Sequence, residues 1–102
     1  MQENLLADIE NYLNITWKDQ ATDQKISNFI RDGMMLLDKH RGAPADYTKA
    51  GLPRTLLFEY CRYARDEALD VFENNYLSLI TAMRNDNLVE IYALENTQST
   101  DP

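Results

Sequence analysis

One cysteine, one histidine, three glycines and three prolines are all that 102 residues contain of the types on which most site chemistry depends. Cys61 has no partner for an internal disulfide, and it falls inside an apolar helical pattern where a buried thiol is commonplace. With His40 as the only imidazole, a zinc site of the usual ligand types would need several carboxylates in compensation. His40 also stands between Lys39 and Arg41 at an expected helix end, where positive charge complements the helix dipole. The sequence carries no glycine-rich phosphate loop, no nucleophile elbow with flanking glycines and no calcium loop. The run Asp66, Glu67, Asp70 and Glu73 lacks the Glu-x-x-His pattern of helical di-iron proteins and reads as a solvated face. The chain is therefore expected to be non-enzymatic, without cofactor or metal.

Cations are the second scarcity: 10 Lys plus Arg stand against 17 Asp plus Glu, a net charge of -7. Nucleic-acid binders displace counterions with clustered cationic side chains, so a direct grip on DNA is not expected. The same acidity repels an anionic membrane, and no run approaches the roughly 20 apolar residues of a bilayer span. The opening MQENLLADIE has neither a basic leader nor a sustained apolar stretch, so it does not read as a secretory signal, and intracellular synthesis is expected. The 44% hydrophobic content suffices for one modest core. A domain this small buries only about 60 to 70% of its unfolded surface, so association with partners is a natural source of further burial.

What is present is helical periodicity. Leu5, Leu6, Ile9 and Leu13 predict a short amphipathic helix over residues 3–13, ending near Asn14. Asp19 and Thr22 are candidate caps for a second helix carrying Ile26, Phe29, Ile30, Met34 and Leu37, with its stop at Gly42. Residues 42–53 read as an ordered loop, and Pro53 suits the first turn of a third helix. From there to residue 84 no glycine or proline intervenes, which predicts a continuous helix of about 45 Å. Its core stripe is Leu57, Tyr60, Cys61, Ala64, Ala68, Val71, Phe72, Leu79 and Ala82. Asn85, Asp86 and Asn87 suggest a break. LVEIYAL is readable as a short strand or a last helical turn, and residues 95–102 as a disordered tail after a single domain over 1–94. The fold class is thus all-α: a small antiparallel helical bundle built around one long C-terminal helix.

A second stripe, Phe58, Arg62, Arg65, Leu69, Tyr76 and Ile80, follows the flank of the predicted long helix. Two accounts fit it: shorter helices of the same chain bury it, or a neighbouring subunit does. Arg54, Arg62 and Arg65 likewise fit either ion pairs within the chain, Arg62 being three residues from Glu59 and four from Asp66, or bridges to another subunit. Trp17, after the first helix, fits a cap on the core or an interface anchor. These eight residues are the candidate interface.

The segments LLADIENYLNITW, DQATDQKISNFI and RDGMMLLD resemble the N-terminal half of the head-tail connector adaptors of tailed bacteriophages. GLPRTLLFEYCRYARDEALDVFENNY is similar to the start and body of that family's long helix. The resemblance implies a virion protein, made in the host cytoplasm, that docks under the portal vertex. It implies a ring of about twelve copies around the DNA channel, through which DNA passes without specific binding, and a stopper or other connector protein received on the far side. Acidity suits such a channel, because a wall that attracted phosphates would slow the genome. The alternative reading of the charge is a small regulatory module, of inhibitor or antitoxin type, that masks a basic target.

Overall fold

The computed structural model of the chain describes residues 2–99, with side chains placed over residues 5–94, and among the described residues there is no strand. Helix α1 (Gln2–Tyr12) turns Leu5 and Ile9, with Leu13 just beyond its end, into the core. It ends where Asn14 takes φ 63°, with Ile15 N–H donating to Glu10 O at 2.8 Å and Asn14 N–H to Asn11 O at 3.1 Å. That pair of bonds satisfies carbonyls the helix leaves open, and asparagine tolerates the left-handed turn better than most side chains. The expected break near Asn14 is in place.

Helix α2 (Gln20–Arg41) starts under Asp19, whose carboxylate accepts from Thr22 N–H at 3.2 Å, and stops at Gly42 with φ 90°. Ile26, Ile30, Gly33 and Leu37 face inward. Gly33 permits a close crossing with α3 (Leu52–Arg65): a Cβ there would lie 2.7 Å from Tyr60 Cδ1. The loop between these helices is tied down by Asp38, which accepts from Ala45 N–H at 3.1 Å and from the Tyr47 hydroxyl at 2.6 Å. Pro53 lies in the first turn of α3, as its missing donor requires.

The predicted continuous helix over residues 53–84 does not form. It is interrupted at Asp66, passes through a 3₁₀ turn (Leu69–Val71) and the single turn α4 (Phe72–Asn75), and resumes as α5 (Leu77–Ser99). The stop at α3 has the same bond pattern as the one after α1: Glu67 N–H donates to Ala64 O at 3.2 Å and Ala68 N–H to Tyr63 O at 2.8 Å. The residue in the left-handed conformation is Glu67, φ 57°, where a glycine would ordinarily announce the turn. The reversal is held by Phe72, which sinks into the core with its ring edge-on to Tyr60 and Tyr63 at 5.4 and 5.7 Å between centroids. Of the predicted core stripe, Leu57, Tyr60, Cys61, Ala64 and Phe72 are buried, whereas Val71 is exposed on the turn.

The break expected at residues 85–87 is absent, and LVEIYAL is helical within α5. Asn87 is buried and its amide donates to Arg41 O at 2.9 Å, while Arg84 Nε donates to His40 O at 2.9 Å. These side chains satisfy the open carbonyls at the end of α2 from a different helix, which outweighs the weak helix propensity of asparagine. Of the expected tail, residues 95–99 continue α5 as helix, and 100–102 lie outside the described residues.

Helices α3 and α5 run antiparallel, with Tyr76 beside Arg62 at one end and Met83, Asn87 and Glu90 beside residues 51–53 at the other. Helix α5 then continues past the start of α3, and the molecule measures 58 × 29 × 17 Å. Its radius of gyration is 15.9 Å, against about 13 Å for a compact domain of this size. If Phe72 holds the reversal, Phe72→Ala should cost about 3 to 5 kcal/mol, a fall of well over roughly 10 °C in thermal midpoint by circular dichroism. Leu77→Ala, at an exposed position one residue past the turn, should change stability by under about 0.5 kcal/mol.

Candidate docking surface

The reversal at residues 66–71 scatters the flank stripe on which the candidate interface was placed. Ile80 is 1% exposed and belongs to the core. Leu69 is exposed on the 3₁₀ turn, away from the helix face that was to carry it. Phe58 is half-buried with its ring 5.4 Å from that of Tyr12 and the Arg54 guanidinium 4.6 Å above it. Trp17 is 57% exposed, so it does not close the end of the core; its indole N–H approaches Thr22 Oγ1 at 3.4 Å.

All three arginines are engaged within the chain. Arg54 bridges Asp8 of α1 at 2.9 Å and donates to Tyr47 O at 3.0 Å, joining α1, the loop and α3. Arg65 donates to Leu13 O, covering a carbonyl at the end of α1. Of its two possible helical partners, Arg62 takes Glu59, with Nε at 2.8 Å from Oε2.

Glu59 is the meeting point of three elements. Its carboxylate accepts from Arg62 on α3, from the Tyr12 hydroxyl of α1, and from the Tyr76 hydroxyl at 2.9 Å at the head of α5. Burial by itself would raise its proton affinity, but the bonds from Tyr12, Arg62 and Tyr76 outweigh it and hold the carboxyl below its ordinary value of 4.5. Burial, and after it the hydrogen bond to the Glu59 carboxylate, push the Tyr76 phenol up to about 12 against the opposing effect of Arg62. Glu10 is the opposite case. Its carboxyl meets that of Asp23 across the α1–α2 joint, and the shared hydrogen bond, burial and the Asp23 charge raise it. One Glu10 oxygen is buried without a partner.

Among the described residues, Cys61 and His40 lie apart, each in surroundings of its own. Cys61 is fully buried, and burial pushes its thiol up to about 12, away from the reactive thiolate. His40 Nε2 lies 3.3 Å from Glu73, and its backbone carbonyl accepts from Arg84. No group of three or more His, Cys, Asp or Glu side chains among the described residues could hold a metal ion. No described helix is long and apolar enough to cross a membrane.

The surface that stands out is the far end of α5. Leu88, Val89, Ile91, Tyr92 and Leu94 are all exposed, Val89 and Tyr92 each at 66%. At about 100° per residue these side chains spread over roughly 220° of the helix circumference. Upstream, Ile80, Met83 and Asn87 form a single buried stripe, so α5 changes from one-sided to apolar nearly all round within two turns. A helix of the second kind is ordinarily enclosed. Sequence reasoning missed this surface because it placed a break at residues 85–87 and treated LVEIYAL as an ambiguous fragment, when its low polarity was the available signal.

Two opposite pH signatures follow from the carboxylates. Glu59 binds protons more weakly folded than unfolded, so its stabilisation is present above its ordinary value and lost as the pH falls through the folded one. Glu59→Gln should therefore lower stability at neutral pH by about 1 to 3 kcal/mol, with the gap to the parent chain closing on acidification. Glu10 binds protons more tightly folded, so its charged form costs stability at neutral pH, and Glu10→Gln should raise the thermal midpoint there. Melting curves of the two variants between neutral and acidic pH check both signs. Comparison with known proteins finds no family model, no curated protein and no solved structure that matches this chain.

Proposed function

We propose that the chain is a structural adaptor of the head-tail junction of a tailed bacteriophage, acting by protein docking and without catalysis. In this reading it binds beneath the portal vertex, assembles into a ring around the DNA channel, and offers the opposite side to a stopper or other connector protein. The observation that carries the docking part is the exposed apolar end of α5, five large side chains on a helix that leaves its own bundle. A solvent-exposed patch of that kind marks an interaction site on a small domain. The viral setting rests on the resemblance of LLADIENYLNITW and GLPRTLLFEYCRYARDEALDVFENNY to the connector adaptors.

Acidity supports the same reading. A net charge of -7 disfavours holding phosphates, as suits a protein through whose ring DNA must slide. The charge also fits a regulatory module that masks a basic target, and the two readings differ in where the protein is found. A connector is a stoichiometric component of purified virions; a regulator is absent from them.

Sedimentation of the chain mixed with the portal protein encoded beside it should give a complex heavier than either component. Leu88→Asp with Tyr92→Asp should leave the helical signal of the monomer unchanged, since both positions are exposed, and abolish that complex. No complex with the parent chain, together with its absence from virions, overturns the proposal.

A further inference from the structure

Around the circumference of α5 the residues sort into faces. Thr81, Asn85, Leu88 and Tyr92, all exposed, follow one another at steps of four, three and four. At about 100° per residue they form a seam roughly 150° from the buried stripe of Ile80, Met83 and Asn87, so the seam looks away from the bundle. The helix continues to Ser99, and the same spacing brings positions 96 and 99 into register with the seam. Asp86 and Glu90 fall on the far side of α5, and Glu90 is paired with Arg41 at 3.7 Å. In a chain of net charge -7, none of the six seam positions is charged.

The order of residues along this seam is the same in both directions. Outward from residue 90 comes first an apolar residue, Leu88 one way and Tyr92 the other. An asparagine follows, Asn85 or Asn96, and then a hydroxyl residue, Thr81 or Ser99. A surface that reads alike from either end is complementary to an antiparallel copy of itself, because a two-fold axis sets residue i against j and j against i. An axis beside residue 90 sets Leu88 against Tyr92, asparagine against asparagine and hydroxyl against hydroxyl, an apolar centre with polar ends. Charge fits the same register. Arg84, at one edge of the seam, bonds to the carbonyl and a ring nitrogen of His40 and is in no ion pair among the described residues. The axis brings it opposite position 95 of the other copy, a glutamate at the same edge.

We propose that two copies of the chain pair through this face of α5, antiparallel, about a two-fold axis beside residue 90. The contact is independent of the connector reading. It covers Leu88 and Tyr92 in the free chain, so a partner that docks on the same residues has to displace it. One helix from each copy makes a small interface, which places the pair among exchangeable contacts.

Sedimentation equilibrium of the full chain tests the pairing. The 11.9 kDa chain should sediment as a dimer at about 100 µM. Leu88→Asp with Tyr92→Asp should return it to a monomer of unchanged helical signal. Ile91→Asp with Leu94→Asp, on the core side of the same overhang, should leave the dimer intact. A monomeric parent chain overturns the proposal, and so does a dimer that survives the first pair of changes or is lost with the second. Cross-linking reads the direction, with Cys61 buried and its thiol poorly ionising. Under mild oxidation a mixture of Leu88→Cys and Tyr92→Cys chains should link faster than either alone; faster linking of each alone means parallel pairing and overturns the proposal. Added portal protein separates this inference from the connector reading. A dimer that takes up no portal keeps the contact and ends the connector role, whereas a monomer that binds portal keeps the role and ends the contact.

Discussion

The burial of Phe72 is the constraint on which the rest of this structure depends. A helix continued from α3 in a straight line would leave the Tyr60 and Tyr63 edges, and the buried faces of α2 and α3, open to water. The turn at residues 66–71 brings Phe72 back onto those rings and starts α5 in the opposite direction, over the same core. Its cost is one non-glycine residue, Glu67, in the left-handed region, of order 1 kcal/mol. Burying one phenylalanine and the inward face of α5 returns several times that.

Once α5 has reversed, its course is set by hydrogen bonding at the end of α2. The last carbonyls of a helix need donors, and Arg84 and Asn87 provide them to His40 and Arg41. This fixes α5 along α2 and α3 up to about residue 90, beyond which Ile91, Tyr92 and Leu94 are exposed. The apolar end is thus a consequence of length. The helix is longer than the bundle that it covers, and LVEIYAL, with Glu90 its one charged residue, lies where the bundle stops.

The electrostatics divide in the same way. The arginines of α3 satisfy internal acceptors first: Asp8 and the Tyr47 carbonyl for Arg54, Glu59 for Arg62, and the Leu13 carbonyl for Arg65. Guanidinium groups carry five donors each, so one arginine can satisfy acceptors on two elements at once, as Arg54 does. The hub at Glu59 locks α1 and the head of α5 to α3.

The helical class, the first two helices, their caps at Asp19 and Gly42, and the start of the third at Pro53 were legible in the sequence, because periodicity and local end signals carry them. The turn at Glu67 was not, since a stop without glycine or proline has no local signature and only the core's demand for Phe72 selects it. Nor was the continuity of α5 through Asn85, Asp86 and Asn87, where donors needed by a distant helix override propensity. The six-residue flank stripe came apart for the same reason: it assumed one straight helix, and a bend sends Ile80 inward and Leu69 outward. Composition and periodicity by themselves determined that this is a small acidic helical chain with a single cysteine and a single histidine. Only the tertiary structure decided which apolar residues are left over, because exposure depends on where the bundle ends, and no local pattern encodes that.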